Sequence, residues 1–405
     1  MSGVMMRKLL SLTALLLCLS LLCACSNQPP EESAASSTVA TSSPTVEATT
    51  GSTPKTDPPL SDLIANFKVD AMDTFPTIYT QEDVCPEPAL SSYKKFAACA
   101  TSEFTVPGLN QSIVPQGMDY WEEMGWMLIS GYCSDESKNG GKGSALFAVD
   151  MNSGMMVAEY YLKNIDGTYH TSHAGGVAVT KKNVFIANGS TLYRIPLTEL
   201  LKQCGDITIA EEIKVPTRAS LANCSGGILW VGDFQYGTSY PTDEFRHMKN
   251  RRGAMYFAWT VGYRLDETTE NELSAAAMSG GDFATPDIIL STTERIQGMA
   301  YLPEVGQIAL SQSYGRTNAS TLFFYEDPMG DEPHTTVTLN GVSVPVWFLD
   351  SKLSVKEMPA IPMSEGIANV NGKLYVLFES GAEKYRLGGG KQPTDRVYAV
   401  DITKW

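Results

Sequence analysis

A short strand motif that recurs five times constrains this chain more than any other feature. Gln116-Gly117-Met118 leads into WMLISGY (126–132) and then SALFAVD (144–150). Gly175-Gly176-Val177 leads into NVFIANG and TLYRIPL, and Ser220-Leu221-Ala222 into ILWVGDF and, after a gap, VGYRLD. Gln297-Gly298-Met299 leads into QIALSQS and TLFFYED, and Glu365-Gly366-Ile367 into KLYVLFES and RVYAVD. Each unit alternates apolar and polar residues, is rich in β-branched and aromatic side chains, and is punctuated by Gly, Asn or Lys turns. That pattern belongs to stacked antiparallel strands, not helices.

Gly117, Gly176, Ser220, Gly298 and Gly366 mark equivalent points, spaced by 59, 44, 78 and 68 residues. Units of about 40–50 residues with four strands each are the signature of a β-propeller, and the longer intervals imply insertions. The longest interval carries one from Phe234 to Trp259, with a short helix expected over Glu270–Met278. The last unit supplies only three strands before the chain ends. The missing fourth is expected from Glu103–Val106, so that the two ends of the chain pair and remove an exposed edge. The expectation is an all-β propeller of four-stranded antiparallel blades closed by an N-terminal strand. It has five blades, or six if residues 61–100 or the longest interval hide another sheet.

The N-terminal segment reads as an address. Arg7 and Lys8 precede the apolar run Leu9–Leu22, which is short for a bilayer span. Leu22-Cys23-Ala24-Cys25 resembles a bacterial lipobox, which makes Cys25 the lipidated first residue of the mature chain. Residues 25–60 are Ser-, Thr- and Pro-rich with few large apolar groups, and read as a disordered tether. The expected organisation is a signal peptide over 1–24, the tether over 25–60, an N-terminal extension over 61–100 and the propeller over 101–405. The expected location is the extracytoplasmic face of the cell membrane, reached through the lipid anchor, with the chain a monomer. A formal charge of -15, from 30 basic and 45 acidic residues, argues against nucleic acid as a partner.

The blade-opening turns resemble those of extracellular propeller superfamilies that include lactonases, calcium-dependent phosphotriesterase-like proteins and five-bladed nucleotidases. VPQG (114–117), SHAGG (172–176), SQSYGR (311–316), PMSEG (362–366) and FESGAEKYR (378–386) together resemble a family of secreted bacterial propeller lipoproteins to which no activity attaches. The resemblance covers roughly Phe104–Asp401. The resemblance to the calcium-dependent families, taken alone, implies a metal held by carboxylates and side-chain amides at the funnel. The aligned openings here supply one acid, Glu365, beside Gln116 and Gln297, so no metal ligands are assigned and the cofactor stays open.

Innermost strands of a propeller converge on one axis. Alignment of the units places Gln116, His173, Arg218, Gln297 and Glu365 at or beside their entrances, and Asp233, Gln312, Tyr314, Arg316 and Glu379 at second-strand ends. In the functional reading, amides and arginines orient a polar ligand while Glu365 or His173 handles protons as the catalytic pair. In the structural reading, the same groups satisfy turns and inter-blade hydrogen bonds. His170 and His173 have a metal-like spacing but no third ligand nearby. A basic run, Arg246, His247, Lys249, Arg251 and Arg252, falls in the long insertion, either as an anion-binding lid or as a solvated loop. Tyr236, Tyr240 and Tyr256 lie near it. No nucleophile elbow, zinc-protease helix or phosphate-binding loop is present. Of the cysteines beyond the anchor, Cys85 and Cys99 are the most local pair for a disulfide.

These readings converge on a lipid-anchored extracytoplasmic propeller that binds a small polar or anionic ligand at its central funnel. Two alternatives remain at this stage. One is a hydrolase of lactone, phosphoester or glycosidic type using the same funnel; the other is a protein-interaction platform at the cell surface.

Overall fold

The computed structural model describes residues 58–68, 78–202 and 204–404. The segment read as a signal, Cys25 and the tether before residue 58 lie outside the described residues. From Ala100 onward the chain forms five antiparallel blades in a ring. Blade I is Ile113–Trp121, Trp126–Cys133, Ala145–Asp150 and Met156–Lys163, from innermost to outer strand. Blade II is Gly176–Val179, Asn183–Asn188, Thr191–Pro196 and Glu211–Lys214. Blade III begins Leu221–Ser225, Ile228–Gly232, Ala258–Arg264 and Ile288–Thr292. Blade IV is Ile296–Leu302, Gln307–Gln312, Ser320–Glu326 and Ser354–Ala360. Blade V is Ser364–Val370, Lys373–Phe378 and Arg396–Asp401, completed by Ala100–Thr105.

That last pairing is the expected closure. Ala100 faces Val400 and Thr105 faces Arg396 in antiparallel register, so the first and last strands of the ring lie side by side. Two blades are wider than four strands. Gly205–Thr208 adds to blade I in parallel with Met156–Lys163. The hairpin Thr335–Leu339 and Val342–Phe348, inserted in blade IV, adds to blade III beside Ile288–Thr292. Neither candidate for a sixth blade forms one. Among the described residues, 61–100 supply short helices, Leu60–Asn66 and Lys94–Cys99, and the long insertion holds a 3-10 turn at Glu244–Arg246 and the small hairpin Met248–Lys249 and Met255–Tyr256 before the third strand of blade III resumes. The expected short helix is Ala275–Met278, capped by the Ser274 side chain.

The apolar core is divided among the blade contacts. Leu128, Leu146, Val177 and Ile186 pack between blades I and II. Phe185, Leu229 and Ile289 pack between II and III, and Trp230, Leu290, Met299 and Leu310 between III and IV. Leu322, Phe324, Ile367 and Val376 fill IV against V, while Val114, Met118, Ala368 and Leu377 close V against I. Each such buried Val, Leu, Ile, Met or Phe contributes ~1.5–3 kcal/mol, so every interface carries stability. Phe96 of the N-terminal extension, fully buried, is edge-on to Phe378 and Tyr398 and ties that segment to blade V.

The recurring glycines mark where innermost strands nearly touch. A Cβ on Gly117 would lie 2.4 Å from the backbone nitrogen of Val177, and one on Gly176 would lie 2.0 Å from that of Ala222. On Gly366 it would meet Met118 N at 2.6 Å, and on Gly298 the Glu365 carbonyl at 2.7 Å. These residues are glycine because neighbouring blades leave no volume for a side chain. Polar ties accompany the contacts: Ser130 donates to the Ala174 carbonyl at 2.9 Å, Tyr301 N to Ser225 Oγ at 3.1 Å, and Ser311 and Ser364 share a bond of 2.7 Å. Asp119 clasps three blades. Its buried carboxylate accepts from Val179 N (2.7 Å), Cys224 N (3.0 Å), Tyr120 N (3.0 Å) and Asn223 Nδ2 (3.0 Å).

The most local cysteine pair does not form a disulfide. Cys85, Cys99, Cys133, Cys204 and Cys224 are all free, and the Cys99 thiol donates to carbonyls of its own helix.

Candidate functional site

Three of the five inner strands begin with a break in register, and each break carries a polar residue. The pairing of blade I shifts between Pro115 and Gly117, that of blade IV between Ile296 and Gly298, and that of blade V between Ser364 and Ile367. The residues released from the ladder are Gln116, Gln297 and Glu365 with Gly366. A bulge leaves its extra residue unpaired and re-aims the side chain, here into the axial space. Arg295 and Met363, each two residues ahead of a bulge, hold positive φ of 63° and 68°. Such strain costs about 1 kcal/mol or more at a non-glycine residue and persists only where packing enforces it.

The bulged residues face one cavity of about 830 Å³, within the usual range for small-molecule sites. Of the residues singled out from sequence, Gln116, His173, Arg218, Tyr240, Arg246, Gln297, Tyr314, Arg316, Glu365 and Glu379 line it. Asp233 and Gln312 do not. Asp233 is buried and accepts from Arg218 N (2.7 Å) and Trp259 N (2.9 Å), so it braces the loops that present Arg218. The Gln312 amide donates to the Glu294 carbonyl at 2.8 Å. His170, the other half of the histidine pair, is buried with Nδ1 2.9 Å from Asn164 Oδ1.

Two carboxyls dominate the cavity wall. Glu365 and Glu379 lie within reach of each other, so that each carboxyl feels its partner. Burial, reinforced by the charge of its partner, pushes Glu365 well above the ordinary carboxylate range. Burial likewise raises Glu379, to about 7, against hydrogen bonds that favour its charged form. Amides clamp both: Gln297 Nε2 donates to Glu365 at 3.0 Å and Gln116 Nε2 to Glu379 at 3.1 Å. Tyr385, from the short helix Glu383–Arg386, hydrogen-bonds Glu379 and in turn meets the Tyr132 hydroxyl. Lys384 Nζ donates to that hydroxyl at 2.9 Å. A continuous polar chain therefore runs from Lys384 through two tyrosines to the carboxyl pair.

His173 stands on the loop before blade II, its ring 4.1 Å from that of Tyr132. Burial, then the nearby Lys384 charge, lowers its pKa below 6.5, which keeps it neutral at pH 7. Aromatic rings from blades III and IV form another part of the lining: Phe234, Tyr240 and Tyr314. Phe234 is 5.2 Å from Tyr240 and 6.4 Å from Tyr314, centroid to centroid. Three arginines also line the space, with different partners. Arg246 is buried, with Nη2 2.8 Å from Asp243 and Nη1 3.5 Å from Asp233. Arg218 and Arg316 bond backbone carbonyls, those of Pro241 (2.9 Å) and Gly388 (2.5 Å). Among the described residues neither has a carboxylate partner. The rest of the basic run diverges: Arg251 clamps Asp350 at 2.6 and 2.9 Å and does not line the cavity.

Sequence reasoning missed Tyr132, Phe234 and Tyr385 as lining residues. Tyr132 ends the second strand of blade I, the rank that pointed to Glu379 in blade V, so the same alignment contained it. Tyr385 sits on a loop helix with no counterpart in the other units, and no periodicity marks it. Among the described residues no cluster of three or more His, Cys, Asp or Glu is placed to hold a metal ion.

No family model matches the chain, and none of the curated proteins does. Solved structures do. Glutaminyl cyclase from Myxococcus xanthus is 13% identical over 74% of this chain and 95% of its own, with a TM-score of 0.33. A putative glucose dehydrogenase from Thermus thermophilus is 13% identical over 74% and 99%, with a TM-score of 0.39. The calcium-binding protein regucalcin from Agrobacterium tumefaciens is 10% identical over 73% and 92%, with a TM-score of 0.30. The ring of five sheets establishes the propeller on its own. Likenesses this distant assign neither activity nor ligand.

Proposed function

We propose that this chain is a lipid-anchored extracytoplasmic propeller that binds a small polar or anionic ligand in its axial cavity. One observation carries the reading: strand bulges of three blades turn Gln116, Gln297 and Glu365 into a space that Arg218 and Arg316 also line. Amides and a pair of buried carboxyls offer both donors and acceptors, and the two guanidiniums offer charge for an anion. The leader and Cys25 motif support the anchor. Calorimetric titration of the full chain against panels of sugars, carboxylates and nucleotides tests the binding reading. A ligand whose affinity falls at least about tenfold in Gln116→Ala, Gln297→Ala and Glu365→Gln is expected, the loss of one or two polar contacts. Affinity indifferent to all three substitutions sinks it.

Hydrolysis at the same cavity is the second reading, favoured by the closeness of Glu365 and Glu379. Its glycosidic form draws no support. Carboxyl groups that cleave a glycosidic bond stand about 5 Å or more apart, and these two lie within hydrogen-bonding reach.

A further inference from the structure

We propose that Glu365 and Glu379 act as an acid–base couple that hydrolyses a small ester or amide bearing a carboxylate, with Arg218 holding that carboxylate. The proposal rests on the axial-cavity reading above and names the chemistry done there.

Three observations carry it. The first is the contact between the two carboxyls, each clamped by a glutamine from a different blade. A clamp of this kind fixes both carboxyls in place and leaves their remaining oxygen capacity toward the cavity. The second is position. Blade V lies between blades IV and I in the ring, so blades II and III face it across the axis, and Arg218 stands on the loop that enters blade III. A ligand spanning the cavity can present a charged end to Arg218 while its reactive group meets the acids. The third is independent of both. Arg246, 3% exposed, lines the same cavity on the blade III side, its Nη atoms held by Asp243, Asp233 and the Pro216 carbonyl, so a second guanidinium stands on the side where Arg218 meets the ligand.

The step balances with water as the only co-reactant. Glu379, as carboxylate, takes a proton from water; the water oxygen bonds to the substrate carbonyl carbon, and the carbonyl oxygen takes the proton of Glu365. The tetrahedral diol then collapses. Glu379 passes its proton to the leaving nitrogen or oxygen, the bond to that atom breaks with its electron pair, and a diol hydroxyl returns a proton to Glu365. Both glutamates end as they began. Charged and titratable groups around the couple are Tyr385 and Lys384 from the blade V loop, Tyr132 and, across the contact, His173 from blades I and II, and Arg316 from blade IV. Glu379 takes hydrogen bonds from both Gln116 and Tyr385 where Glu365 takes one from Gln297, which makes Glu379 the base of the proposed step and Glu365 the acid.

Two assays on the full chain test the proposal. In the first, p-nitrophenyl hydrogen succinate is compared with p-nitrophenyl acetate. The anionic ester is expected to turn over at least about tenfold faster in kcat/KM, with the preference lost in Arg218→Ala, and turnover falling about 100-fold in Glu365→Gln and in Glu379→Gln. In the second, phenyl glycidyl ether serves as a substrate-independent probe. Attack by the Glu379 carboxylate opens the epoxide, and the ring oxygen takes the Glu365 proton, leaving an ester detectable by mass spectrometry. Labelling of Glu379 that disappears in Glu365→Gln is expected, with Lys181→Ala, on an exposed ion pair with Glu123, labelled as wild type. Melting curves of each variant separate lost chemistry from lost fold. Equal turnover of the two esters overturns the substrate class. No turnover of either ester, or epoxide labelling unchanged in Glu365→Gln, overturns the couple. Those results leave ligand binding in the cavity intact, since it stands or falls on the Gln116 and Gln297 titrations.

Discussion

Asp119 shows how far one residue reaches in this fold. Its carboxylate collects backbone N–H groups from the innermost strands of blades I, II and III, a role for which the acid is worth burying. Burial pushes its pKa up to about 7, while those N–H bonds pull the other way. Asp119→Ala strands buried donors on three blades and should destabilise the chain by roughly 2–4 kcal/mol, measured by urea unfolding. A loss under about 0.5 kcal/mol, the range of an ordinary surface change, would show that the clasp matters little. The Glu365–Glu379 pair makes a second residue-scale prediction. A carboxyl whose folded pKa lies above its unfolded value binds more protons when folded, so its contribution to stability is present at low pH and lost as pH rises. For Glu379 the window runs from about 4.5 to about 7. The stability difference between wild type and Glu379→Gln should therefore shrink as pH rises through that window. The difference cancels the histidines, whose lowered pKa values act in the opposite sense. A pH-independent difference would contradict the shift.

At the level of the element, the inner strands explain both what sequence revealed and what it hid. Repeated Gln-Gly and Glu-Gly turns were legible because bulge and close approach each impose a residue type: a polar side chain to aim inward, then a glycine with no Cβ. Gly366→Ala would place a methyl 2.6 Å from Met118 N and force blades V and I apart. A loss of about 1–3 kcal/mol is expected by denaturant titration, the range seen when cores are overpacked. An alanine tolerated without loss would mean that the blades adjust freely there. Less legible were the elements that blades lend to one another. No strand is assigned from sequence to Gly205–Thr208 or to the hairpin 335–348, and nothing in their alternation says that they join a neighbour's edge in parallel. The same holds for Tyr385: its place against Glu379 depends on how one loop folds, and loops carry no period. The insertion tells a related story. Arg251 bonds Asp350 bidentately and so fixes the loop against the outer part of blade III. Arg251→Ala should raise amide exchange over residues 248–256 while leaving the blades protected, and unchanged exchange would show that the loop is held by other contacts.

For the molecule as a whole, the closed ring is what converts local patterns into a site. Ala100–Thr105 sits against Arg396–Asp401, so residues from the two ends of the described propeller share one sheet. Closure sets blade V beside blade I, and with that Glu379 beside Gln116. The fold class was readable because every unit repeats the same apolar period and turn chemistry. The ring of polar residues was readable because it follows from that alignment, apart from Asp233 and Gln312, which the packing of the loops turns to structural hydrogen bonds. The pairing of Glu365 with Glu379 was not readable, since it arises from two strands of one blade whose side chains meet only at the axis. Above the fold stands the proposed anchor. Membrane fractionation of cells carrying the full chain should place it in the pellet and Cys25→Ala in the soluble exported fraction, and an unchanged distribution would remove the lipid from the account.

The most direct check on that axial meeting is carboxyl NMR of the full chain with carbon-13 at glutamate Cδ, the two signals assigned through Glu365→Gln and Glu379→Gln. One carboxyl should stay protonated to well above the ordinary range, the other should titrate near 7, and Glu379→Gln should move the Glu365 titration downward. Two independent titrations near the usual glutamate value of about 4.3, each blind to loss of the other, would contradict the convergence of the blades on one pair of carboxyls.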